Sequence, residues 1–238
     1  MLLSANGHPV EDIRDIAPGP HAARLALVML PGAGDRAQDL VEHGFVRALR
    51  ARDLAIDAIL VDARVDHYLE RRVPSLLERH VGAPTPDGVR IWLMGISLGG
   101  TGALEYVREH RSAVAGVILL APFLGTRGVI AEVARAGGLR RWDPGTIGPG
   151  DDERRLLAWL RAYDAGSPGA LPIYLGYGTE DRYVAASMIL SELVPPQNVV
   201  SIRGGHDWAT WLGAWERILD MGVFAGENAA PSATRRRP

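Results

Sequence analysis

Short apolar runs punctuate this chain at residues 24–30 (RLALVML), 54–61, 89–94 (VRIWLM), 115–120 (AGVILL), 171–176 (LPIYLG) and 198–202. Each is too brief to be a helix of its own and is bounded by turn residues, which fits strands buried on both faces. Between them the apolar positions recur at helical spacing. One stretch carries Val41, Phe45, Ala48 and Leu49; a charged one spans 66–81 and is interrupted or opened at Pro74. Further helices are expected from Leu98 (with Leu104 and Val107), over 128–136, around 153–164 (Leu156, Leu157, Leu160, Tyr163), over 184–194, and from Asp207 with Trp208, Leu212, Trp215 and Leu219 on one face. Strands alternating with helices predict a mostly parallel sheet of about six strands between two helical layers, a three-layer α/β sandwich with right-handed crossovers.

Three stretches depart from this rhythm. Residues 1–24 are rich in Pro and Gly and read as an arm with one helical turn near 11–16. Residues 124–170 hold two amphipathic helices joined by a Gly- and Pro-rich loop where one short crossover would suffice, so they read equally as a cap or pocket wall and as a longer crossover. Residues 226–238 form a polar tail expected to be disordered. Residues 1–225 are thus expected to make a single domain.

Composition removes several function classes. The 238 residues include no cysteine, which excludes disulfides, thiolate metal sites and a cysteine nucleophile. The net charge of -2 offers no electrostatic case for nucleic acid, and the 26 basic residues, all arginine, are scattered along the chain. The N-terminal residues lack the basic and apolar regions of a signal peptide, and no run is long enough to cross a membrane, which makes a cytoplasmic location the expectation. No H-x-x-x-H pair, calcium loop or phosphate-binding glycine pattern occurs, so neither metal nor cofactor is expected.

The chemistry gathers where strands end. Gly95-Ile96-Ser97-Leu98-Gly99 follows one apolar run and opens a helix, the strand–turn–helix context in which G-x-S-x-G has meaning. Its glycines fit a reversal too tight for a Cβ, and the serine is lifted to a helix N-terminus with unpaired N–H groups. The blander alternative is a glycine-rich turn with a capping serine. In a parallel sheet all C-terminal strand ends share one edge. Ala33, Ser97, Asp181 and His206 all follow strands, and the order Ser, Asp, His suits this sheet type.

With L-P-G-A-G at 30–34, G-I-S-L-G at 95–99, G-T-E-D at 178–181 and G-G-H-D at 204–207, the chain resembles the α/β-hydrolase family over residues 24–222. The resemblance implies Ser97 as nucleophile, His206 as base, Asp181 as its orienting acid, and the Ala33 and Leu98 amides as oxyanion hole. The chain departs from many members in having Pro31-Gly32 where they carry His-Gly, and in lacking room for the usual N-terminal hairpin. Glu180 neighbours the acid, and Asp207 reads as a helix cap. Asp62 is either structural or lines the pocket with Arg64 and His67. The other histidines, His8, His21, His43, His67, His80 and His110, read as solvated surface. Phe123, Trp142, Tyr183 and Trp208 are candidates for an apolar pocket, although aromatic residues near helices more often belong to the core. The implied activity is cleavage of a carboxylic ester or thioester of a small molecule through an acyl-enzyme. Acyl transfer, amide cleavage or ligand binding without turnover are the alternatives, and the oligomeric state is left open.

Overall fold

The computed structural model describes residues 12–18, 23–81 and 89–224. Seven strands form one sheet: β1 (Ile13–Asp15), β2 (Leu25–Leu30), β3 (Ile56–Leu60), β4 (Arg90–Ile96), β5 (Gly116–Leu120), β6 (Ile173–Gly178) and β7 (Val199–Ile202), in the spatial order β1-β3-β2-β4-β5-β6-β7. The six parallel strands are those expected from the apolar runs. The seventh, β1, runs antiparallel at the edge with Ile13 opposite Leu60 and Asp15 opposite Ala58.

This strand replaces the helical turn expected near 11–16, of which Glu11 lies outside the described residues. Three residues are too few to show a period in sequence. Polar contacts fix β1 instead: Arg50 donates through Nε to Asp15 at 2.7 Å, the Ala17 amide donates to Asp57 at 2.9 Å, and His80 Nε2 meets Asp12 at 2.8 Å. The loop 82–88 and the tail at 226–238 also lie outside the described residues.

The helices are α1 (Ala37–Glu42), α2 (Phe45–Arg50), α3 (Val65–Leu69), α4 (Val73–Val81), α5 (Leu98–Glu109), α6 (Arg127–Arg135), α7 (Asp152–Arg161), α8 (Val184–Ser191) and α9 (Trp208–Asp220). They cover both faces because each central strand alternates its side chains. Ala26, Val28 and Leu30 of β2 pack into a core with α4 to α8, whereas Leu25, Leu27 and Met29 pack with α1, α2 and α9. The single helix expected around Val41–Leu49 is two, since Gly44 takes a left-handed conformation at φ 88° and turns the chain. Val41 is consequently exposed. Pro74 lies in the first turn of α4, where its missing N–H breaks no helical bond.

Sheet order fixes where a ligand can sit. From β2 the chain goes to β3 on one side, then crosses to β4 on the other. The crevice beyond the ends of β2 and β4 is therefore the switch point of the sheet. Ala33 follows β2 and Ser97 follows β4.

Candidate active site

Ser97 stands between β4 and α5 at φ 49° and ψ −114°, a left-handed conformation that costs a non-glycine residue about 1–3 kcal/mol. Three backbone bonds hold it there. Its N–H donates to the Leu120 carbonyl at 2.9 Å, and its own carbonyl accepts from Gly100 at 3.0 Å and Phe123 at 2.9 Å. The flanking glycines are required by space: a Cβ on Gly95 would fall on the Gly99 carbonyl, and one on Gly99 on the Leu30 and Pro31 carbonyls. The Ser97 side chain makes no capping bond to α5, so the blander reading of a capping serine does not describe it.

Its hydroxyl meets His206 instead, with Oγ 3.0 Å from Nε2, while His206 Nδ1 lies 2.7 Å from Asp181 Oδ2. The carboxylate can only accept, so Nδ1 carries the proton and Nε2 is left to accept from the serine. The loops bearing Asp181 and His206 are locked together. Thr179 N–H donates to Ile202 at 2.8 Å, Glu180 N–H donates to Gly204 at 2.9 Å, and a Cβ on Gly178 would strike the Gly204 carbonyl. Asp181 is buried, and its second oxygen accepts the Tyr183 N–H at 2.7 Å. Glu180 points outward to Arg203 at 2.8 Å. Asp207 caps α9 by accepting the Thr210 N–H at 2.9 Å, and that bond holds its carboxyl below the usual range.

These groups open into a cleft of ≈ 520 Å³ that Ala33, Leu98, Phe123, Tyr183 and Trp208 line. The Ala33 and Leu98 N–H groups have no acceptor among the described residues. Tyr183 meets the His206 ring edge to face at 5.0 Å. Trp208 stacks on His43 at 4.1 Å.

Trp142 is not a pocket residue. It is buried in the core, its indole N–H donates to Glu132 at 2.9 Å, and the Arg154 guanidinium lies 5.7 Å over its ring. The loop that carries it folds back under α6 and α7 and does not line the cleft. Trp142→Ala is accordingly expected to lower stability by about 3–5 kcal/mol, read from urea unfolding, the cost of emptying a buried tryptophan site. An unchanged urea midpoint would show that the ring is not part of the core.

Other expectations change as well. His67 and His80 are buried rather than solvated. His67 Nδ1 accepts the Arg64 N–H at 3.1 Å, and burial holds its imidazole below the usual value. Asp62 takes its structural reading: it is buried, accepts from Arg64 at 2.9 Å and does not line the cleft. His8 and His21 lie outside the described residues.

Sequence reasoning missed Trp211, Asp35 and Arg182, all on the cleft. Trp211 packs its ring against His206 at 4.9 Å in a perpendicular arrangement, so the imidazole is held by two aromatic rings. Asp35 closes the turn after Gly32, and burial, then the Asp39 charge, pushes its carboxyl up while His43 and His206 pull it down. The aspartate of P-G-A-G-D was the available signal for Asp35. The available signals for the other two were their neighbours: Arg182 lies between Asp181 and Tyr183, and Trp211 one turn after Trp208.

The family model described as Putative esterase matches residues 26–219. No curated protein sequence matches the chain. Among solved structures, Est1E from Butyrivibrio proteoclasticus aligns at TM-score 0.60 and 19% identity, over 94% of this chain and 98% of that one. A monoacylglycerol lipase from Paleococcus ferrophilus aligns at 0.61 and 15%, over 92% and 100%. The fluorophosphonate-binding serine hydrolase FphF from Staphylococcus aureus aligns at 0.60 and 15%, over 90% and 93%. At these identities the likeness concerns the fold. The sequence match over most of the chain, laid on this sheet and this cleft, places the protein in the esterase family of α/β-hydrolases, hydrolases that act on ester bonds.

Proposed function

We propose that the protein cleaves a small-molecule carboxylic ester or thioester through an acyl-enzyme on Ser97. The observation that carries this reading is the unbroken chain from Ser97 Oγ through His206 to Asp181, at 3.0 and 2.7 Å. A serine hydroxyl at neutral pH is a weak nucleophile, and a base within hydrogen-bond reach is what activates it. His206 Nε2 takes the Ser97 proton as Oγ bonds to the carbonyl carbon. The Ala33 and Leu98 amides hold the oxygen that becomes negative. The imidazolium, steadied by Asp181, then protonates the departing alcohol or thiol as the C–O or C–S bond breaks. In the second half His206 takes a proton from water, the hydroxide attacks the acyl carbon, and Ser97 leaves with its proton restored.

A fluorophosphonate probe tests this reading, because it reacts only where a nucleophile, a base and an oxyanion site coincide. Peptide mass mapping is expected to find the label on Ser97 alone, and the Ser97→Ala protein is expected to remain unlabelled. Labelling that survives Ser97→Ala would remove the nucleophile assignment.

A further inference from the structure

Beside the catalytic cleft lies a second cavity, of ≈ 340 Å³, between α6 and α8. Phe123, Arg182 and Tyr183 line both spaces, so the two are continuous at the residue whose ring packs on His206. The cavity's floor is apolar: Ile130 and the small residues Gly125, Ala131, Ala134, Ala185 and Ala186. Its charged side chains, among the described residues, are two arginines. The Arg182 guanidinium lies 4.9 Å from the Tyr183 ring centroid, and that of Arg127 lies 5.9 Å from the same centroid. Neither has a carboxylate partner among the described residues, whereas other exposed arginines such as Arg71 and Arg203 are paired. The acidic residues of the neighbouring cleft, Asp35 and Asp207, are not part of this cavity.

Two like charges gathered on one ring, both unpaired, at the mouth of an apolar space next to a nucleophile form a recognition pattern. The ring holds the guanidiniums by cation–π attraction, which leaves their N–H forks for an anion. We propose that the enzyme's preferred substrates are esters with one apolar arm that ends in a carboxylate. The arm fills the space between α6 and α8, and the carboxylate is bound by Arg127 and Arg182. This rests on the ester-cleaving reading of Ser97 and names its substrate class. It also gives the segment at 124–170 a part in recognition, through α6 rather than through the loop carrying Trp142.

The test compares matched pairs: mono-4-nitrophenyl adipate, pimelate and suberate against 4-nitrophenyl hexanoate, heptanoate and octanoate. For the alcohol arm, 6-acetoxyhexanoate is compared with hexyl acetate. In at least one series the anionic ester is expected to exceed its neutral partner in kcat/KM by about tenfold or more, as a charge-assisted contact gives. Added salt should shrink that ratio, since partly exposed charges are screened. The Arg127→Gln/Arg182→Gln protein should lose about tenfold of the ratio, and Arg127→Gln alone, which touches only the second cavity, should lose part of it. Arg135→Gln, a charge change at the far end of α6, should keep the ratio. Neutral esters cleaved with no anionic preference on either arm, or a preference that survives the double substitution, would overturn the proposal. No turnover of any ester together with no fluorophosphonate label on Ser97 would instead remove the esterase reading, and this proposal with it.

Discussion

His206→Ala is expected to lower kcat by about 10⁴- to 10⁶-fold on any ester the enzyme hydrolyses, because in the proposed mechanism nucleophile and base act as one unit. The reason is local. His206 Nε2 lies 3.0 Å from Ser97 Oγ, and no second histidine lines the cleft among the described residues. Ser97→Ala should cost a similar factor, and the double variant should be no slower than either single one, since whichever group goes first leaves the other idle. Activity that remains would come from binding and from the Ala33 and Leu98 amides. The substitution also strips Asp181 of a partner in a buried site, leaving one oxygen on the Tyr183 N–H. A loss of about 1–3 kcal/mol in stability is therefore expected as well, and circular dichroism at the assay temperature separates it from the kinetic effect. A folded His206→Ala protein that kept more than about a hundredth of the activity would require a different base.

What could be read from the sequence divides along a physical line. Strands β2 to β6 are runs of mainly apolar, buried residues, and a buried strand leaves its mark on consecutive positions; β7, at the sheet edge, fully buries only Val200 and exposes Ser201. The turn at Ser97 was legible through its pentapeptide: Gly95 is forced by the backbone of the same turn, at Gly99 and Gly100, whereas the contact that forces Gly99, with the Leu30 and Pro31 carbonyls at the end of β2, has no local mark. The order Ser97, Asp181, His206 could be followed because a parallel sheet brings all three loops to one edge whatever their separation. Contacts between side chains from distant elements were not legible. Arg127 of α6 meets Tyr183 ahead of α8, and Trp142 meets Arg154 of α7, and neither pair has a pattern of spacing. His67 and His80 misled for the same reason. They sit in charged stretches, yet their helices turn them inward, where Arg64 and Asp12 supply the bonds. The arm at β1 is held by Arg50, Asp57 and His80, all of them far along the chain.

Gly99→Ala is expected to be, with Gly95→Ala, among the most damaging single methyl additions at the described residues. The new Cβ would lie between the Leu30 and Pro31 carbonyls, closer to both than carbon and oxygen can pack. These are backbone atoms and cannot swing aside as a side chain tip would. Leu30 is tied to Gly95 in the β2–β4 register, so the end of β2 and the start of α5 cannot separate without breaking the sheet at its switch point. Moving α5 outward instead would carry the Leu98 amide away from Ala33 and turn Ser97 from His206. Either route costs more than ordinary overpacking, about 4 kcal/mol or beyond, against a total stability on the order of 5–15 kcal/mol. Little folded protein is expected at growth temperature, and whatever does fold should take up fluorophosphonate slowly. Gly128→Ala provides the contrast. Gly128 is in the first turn of α6 with no atom within 4 Å of its added Cβ, so alanine there should raise stability by about 0.4–1 kcal/mol through the unfolded chain. Urea unfolding of the two variants beside the parent protein reads both effects, and a Gly99→Ala midpoint equal to that of the parent would mean that the turn at Ser97 is looser than its backbone contacts require.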